Sequence, residues 1–164
     1  MKNNKDLLKL THIMIKAFYF IVLIVVILPP VVYKTKVFAD EFLRCYMIPL
    51  YISLPAGVAA LVCLDRLFGN LRKDIVFRAD NVKYLNILSI CCFIASAISL
   101  SSFAVIMCIN FAQEGYWIII VGGVLYILFF IMGIGEIFVG LIVRVVKNTF
   151  ESAIVIKDEN DLTI

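Results

Sequence analysis

Four apolar runs, each long enough to cross a bilayer and separated by short segments, constrain this chain more than any other feature. A hydrocarbon core of about 30 Å takes about 20 helical residues at 1.5 Å each. The runs extend over residues 13–32, 45–64, 85–111 and 116–143. Together they make the chain 63% hydrophobic and only 16% charged. Soluble domains lie nearer about 45–50% and about 25%, so a water-soluble globule with one core is excluded. No Ser/Gly-rich linker, low-complexity stretch or internal repeat divides the 164 residues. The expectation is one all-α membrane domain, a polytopic four-transmembrane-helix bundle spanning residues 1–164.

The interruptions within the runs are of kinds that a membrane tolerates. Lys16 lies near the start of the first run, where its ammonium can snorkel to the headgroups. Pro29-Pro30 marks the expected break of that helix. Pro49 and Pro55 fall inside the second run, where neighbouring helices can satisfy the freed backbone groups. Only Ala112-Gln113-Glu114-Gly115 separates the third run from the fourth, which forces an antiparallel hairpin. Tyr116 and Trp117 sit where an interfacial aromatic anchor belongs. A basic start, an apolar run and Val37-Phe38-Ala39 before Asp40 also resemble a secretory signal. The proline pair, the basic residues after it and three further spans weigh against cleavage there.

Orientation follows from the bases in the flanking segments. Lys2, Lys5, Lys9 and Lys16 precede or open the first run, and Lys34, Lys36 and Arg44 follow it. Arg66, Arg72, Lys73, Arg78 and Lys83 lie between the second and third, and Arg144, Lys147 and Lys157 follow the fourth. With both termini in the cytoplasm, twelve bases lie inside and three outside. The expected location is the inner membrane of a bacterial cell, with the lipid bilayer as the first partner.

Little in the chain points to catalysis. The five cysteines, Cys45, Cys63, Cys91, Cys92 and Cys108, lie in or beside apolar runs without a C-x-x-C spacing, and read as small buried hydrophobes. His12 is the sole histidine. No nucleophile–base pair, carboxylate pair or metal-ligand cluster is visible, so neither an enzyme nor a cofactor is expected.

One acid, Glu136, lies well inside a run. Gly133 and Gly140 share its helical face, and glycines let a second helix come close. That face should therefore point into the bundle. A carboxylate there needs a partner or a proton, which suits a proton- or ligand-sensing acid. A simpler reading starts from depth. Glu136 lies about 30 Å along the helix from Tyr116, near the inner interface, within reach of Arg66, Arg144 or water. The third run carries Ser89, Cys92, Ala95, Ser96, Ser99, Ser102 and Asn110, a small-residue stripe that favours helix packing over a permeation path.

The cytoplasmic parts are the remaining candidates. The segment from Arg66 to Tyr84 reads as a loop that holds topology and touches anionic lipid. Beyond Val143, Val146, Phe150, Ala153 and Ile154 continue a helical stripe, so residues 144–164 read as an amphipathic arm and tail. The tail ends in Lys157-Asp158-Glu159-Asn160-Asp161-Leu162-Thr163-Ile164, whose last three residues can pair with Ile75-Val76-Phe77 or be gripped by another protein.

The segment from Lys73 through Phe77, Arg78, Asp80, Asn81 and Lys83 to Leu85 resembles the "vFt-x-eNvk-x-L" stretch of a family of small bacterial membrane proteins. The closing residues 157–164 resemble its final "L-k-x-E-n-D-L-T-I". The family is that of domain of unknown function 2975, and the likeness covers nearly the whole chain. Arg78 departs from it, standing where the family has the Thr or Ser that would cap the third helix. Asp80 is then left to favour the helix dipole.

Such proteins are often encoded beside a small helix-turn-helix regulator. The resemblance therefore implies a regulatory or scaffold role toward such a DNA-binding partner, with no direct contact to nucleic acid. Phe77, Asp80, Asn81, Glu159, Asn160, Asp161, Leu162, Thr163 and Ile164 are its candidate partner-binding residues. The alternative is a small transport or permeation component, homo-oligomeric in one form, that uses Glu136 and the third-run serines.

Overall fold

The computed structural model describes the backbone of residues 2–32, 41–73, 78–112 and 116–161. Side chains are described for residues 10, 11, 13–27, 47–73, 78–108 and 127–160. These segments form four helices: α1 (Lys2–Val32), α2 (Glu41–Arg72), α3 (Ala79–Ala112) and α4 (Tyr116–Asp161). The all-α expectation holds for the described residues. Among the described residues three helices carry stretches long and apolar enough to cross a membrane, namely Met47–Arg72, Ala79–Cys108 and Ile127–Asn160. The described apolar part of α1, Ile13–Ile27, is shorter.

All four helices outrun the apolar stretches that predict them. α1 continues through Pro29-Pro30 to Val32 instead of breaking at the prolines. A proline removes its own N–H and crowds the carbonyl four residues before it, so its cost falls on the preceding turn and the backbone beyond it can stay helical. α2 carries Pro49 and Pro55 without interruption. The expected loop from Arg66 to Tyr84 is mostly helical, because α2 persists to Arg72 and α3 begins at Ala79. α4 is a single helix of 46 residues, so the arm beyond Val143 continues the span.

Among the described residues each helix packs only on its neighbours in sequence: α1 on α2, α2 on α3, and most extensively α3 on α4. The result is a row, with α3 flanked on both sides. Tyr51 of α2 donates its hydroxyl to the Val25 carbonyl of α1 at 3.4 Å. An apolar cleft of about 300 Å³ opens between α2 and α3, lined by Ile48, Pro49, Ile52, Ile98, Ser102 and Val105 among others. Phe103 of α3 meets Phe130 of α4 with ring centroids 5.1 Å apart.

Within an 18-residue apolar segment of each helix, 28% is buried in α3 but only 11% in α2 and in α4. Phe20, Ile52, Ile131, Phe138 and Ile142 are among the large side chains left more than half exposed. Soluble proteins rarely expose apolar patches beyond a few hundred Å², so this surface suits lipid. The buried side chains are concentrated on α3, where Asn81, Ser89, Ser96, Ser99 and Ser102 join Leu85, Leu88, Cys91 and Ile106. Most of the serines of α3 thus lie against neighbouring helices, where small polar residues favour close packing in lipid.

Candidate functional site

The α3–α4 contact is built around two glycines. A β-carbon on Gly133 would lie 2.8 Å from Leu100 Cγ and 3.4 Å from Ser99 Cβ. One on Gly140 would lie 3.2 Å from Cys92 Cβ and 3.4 Å from the Phe93 ring. Glycine at both positions lets the helices approach more closely than side chains would allow. Ser89 uses that approach to donate its hydroxyl to the Gly140 carbonyl at 3.1 Å.

Glu136 lies between these glycines and faces α3, as their shared spacing predicts. Its Oε2 accepts a hydrogen bond from the Ser99 hydroxyl at 3.0 Å, and the carboxylate is part-buried. Among the described residues no base forms an ion pair with it. Of the partners expected for it, Arg66, Arg144 or water, neither arginine pairs with it among the described residues, and a neutral hydroxyl does. The reason is register: Glu136 lies opposite Ser96–Ser99, near the middle of the apolar run of α3. Distance counted along α4 alone cannot report that neighbour.

The small-residue stripe of α3 is an interface. Ser89, Ser96, Ser99 and Ser102 are buried, and Cys92 and Ala95 partly so. Ser102 bonds back to the Ile98 carbonyl at 2.6 Å. The Asn110 side chain lies outside the described residues. Cys63 and Cys91 are buried free thiols and Cys92 is half-buried, but Cys108 is exposed, which corrects the reading of every cysteine as buried. The Cys45 and His12 side chains lie outside the described residues. Among the described residues no group of three or more His, Cys, Asp or Glu could hold a metal ion.

A second cluster ties α2 to α3. Asn81 is fully buried and accepts at its side-chain oxygen from the Asn70 amide at 2.7 Å. It makes a further interaction besides. Arg78 stands just before α3, its carbonyl accepting from the Asn81 backbone N–H at 3.0 Å. Its guanidinium Nε lies 2.8 Å from the Asp80 carboxylate, both side chains well exposed. Asp80 is the acid in the first turn of α3, where it complements the helix dipole. Asn70 was hidden from sequence reading, because it sits within the segment taken as loop.

α4 overhangs this corner. Gly140 faces Cys92, so an equal step along each antiparallel helix brings Ala153 level with Ala79. Residues 154–161 then project about 12 Å past the start of α3 at 1.5 Å per residue. Glu159 and Asn160 are exposed there and each takes part in polar or electrostatic contacts. Asp161 ends the helix, and its side chain lies outside the described residues, as do Ile75, Val76, Phe77, Leu162, Thr163 and Ile164.

No curated protein and no solved structure matches this chain. A family described as "Protein of unknown function (DUF2975)" matches residues 7–164, nearly the whole length, in keeping with the motifs around Asn81 and at the C-terminus. The chain is thus a member of the DUF2975 family.

Proposed function

We propose that this protein crosses a bacterial cell membrane four times, keeps both termini in the cytoplasm, and acts there as a regulatory or scaffold partner of a soluble protein. The observation that carries this reading is the unbroken run of α4 past the start of α3. It presents an exposed acidic end, Asp158 and Glu159, beside the corner held by Asn70 and Asn81. A rigid helix projecting from lipid is a suitable platform for docking. Its acidity favours a basic partner through complementary charge and disfavours the phosphates of nucleic acid. A small helix-turn-helix DNA-binding regulator meets that description. The distribution of bases, twelve against three, supports the orientation.

The test is affinity purification from bacterial membranes, comparing the intact chain with one truncated after Ile156. A basic DNA-binding protein, identified by mass spectrometry, should co-purify with the intact chain and be lost with residues 157–164. Recovery of the same soluble proteins with both chains would exclude docking through the tail.

A further inference from the structure

One buried hydroxyl of α3, that of Ser96, has no hydrogen-bond partner among the described residues. Of the buried polar side chains among the described residues, Asn81 pairs with Asn70, Ser89 with Gly140, Ser99 with Glu136 and Ser102 with Ile98. Ser96 is 3% exposed and makes no hydrogen bond among the described residues. A buried hydroxyl left unsatisfied is destabilising.

The glycine contacts fix where Ser96 stands. Gly133 abuts Ser99 and Leu100, and Gly140 abuts Cys92 and Phe93. Glu136 lies between the two glycines on α4 as Ser96 lies between those contacts on α3, which sets the two at one height. Ser96 is also four residues after Cys92 and three before Ser99, on the helical arc that faces α4.

Glu136 has a complementary deficiency. One carboxylate oxygen accepts from Ser99, and its other oxygen has no partner among the described residues. Among the described residues the only helix packed on α4 is α3, which carries no charged residue from Tyr84 to Ala112. The titratable neighbours on α3 are the thiols of Cys92, nearest the carboxylate, and Cys91, buried one residue earlier. The nearest base along α4 is Arg144, about 12 Å away at 1.5 Å per residue.

A carboxylate bonded to the Ser99 hydroxyl, level with the unbonded Ser96 hydroxyl of the facing helix and without a basic counterion among the described residues, offers hard oxygen donors suited to a small hard cation. We propose that Glu136, Ser96 and Ser99 form a binding site for a monovalent cation, a proton or a sodium ion, within the α3–α4 interface. This site is independent of cytoplasmic docking and holds whether or not the tail has a partner.

A hydrophobic carbodiimide, which adds to protonated carboxyl groups, tests the site in the full-length protein reconstituted in lipid vesicles. Adduct at Glu136 is followed by peptide mass spectrometry between about pH 5 and pH 9, a range wide enough to titrate a carboxyl in apolar surroundings. A proton site gives labelling that falls as pH rises, whatever the salt. A sodium site gives labelling that sodium chloride suppresses at fixed pH and choline chloride does not. Ser96→Ala should move the pH midpoint by about one unit, or raise the half-protecting sodium concentration about tenfold, the effect expected for one lost oxygen donor. Ser99→Ala should act in the same direction, while Ser101→Ala, on the exposed side of α3, should change neither. Labelling at Glu136 that is absent or constant under every condition would overturn the proposal. A Ser96→Ala curve superimposable on the parent's would overturn it too.

Discussion

The Asn70 side-chain amide donates to the Asn81 side-chain oxygen at 2.7 Å, joining the last turns of α2 to the first turn of α3. Asn81 is fully buried, so its amide group cannot turn to water if this bond is lost. Asn70→Ala should destabilise the protein by about 1–3 kcal/mol, the effect of stranding a buried acceptor. Asn81→Ala should have a larger effect, because Asn81 makes a second interaction. The double variant should be less destabilised than the two effects added, since the pair shares one bond. Thermal unfolding of the four proteins in one detergent measures all three quantities.

Glycines on α4 should respond to alanine according to the face they occupy. At Gly133 a β-carbon meets Leu100 at 2.8 Å, whereas at Gly135 nothing lies within 4 Å. Gly133→Ala should destabilise the α3–α4 contact by about 1–3 kcal/mol through overpacking. Gly135→Ala should be neutral or stabilising by up to about 1 kcal/mol, from helix propensity alone. Comparing their unfolding midpoints separates close helix approach from propensity.

Arg78 occupies the position before α3, where a hydroxyl would cap the helix. Arg78→Ser supplies a capping oxygen to the first turn of α3, worth about 1 kcal/mol. It also removes the exposed Arg78–Asp80 pair, worth less than about 1 kcal/mol. The net expectation is a small gain, read as a rise in the midpoint of thermal unfolding.

Membrane orientation is open to direct labelling. In a variant lacking the five native cysteines, a single cysteine at Ser152 should react with an impermeant maleimide only after cells are opened. One at Gln113 should react in intact cells. The opposite pattern would invert the proposed topology.

Much of this architecture was legible in the sequence because lipid imposes few rules and strict ones. The four apolar runs each yielded a helix, and Gly133, Glu136 and Gly140 faced the neighbour that their spacing predicted. Helix ends were less legible, since polar stretches such as Arg66–Arg72 carry no hydropathy signal while α2 continues through them. Partners between helices were least legible. Glu136 bonds Ser99 rather than an arginine, because the opposing residue depends on register between two helices.

A row in which, among the described residues, each helix touches only the one before and after it can be assembled in the order of synthesis. α2 has its full contact with α1 before α3 emerges, and nothing early must wait for a distant late segment. The exception is α3, whose serines find Gly140 and Glu136 only on α4. Entering lipid alone, α3 would carry those hydroxyls without their interhelical partners. On the proposed four-span topology, the last two helices should therefore leave the insertion machinery as one hairpin, a delay imposed by Ser89 and Ser99.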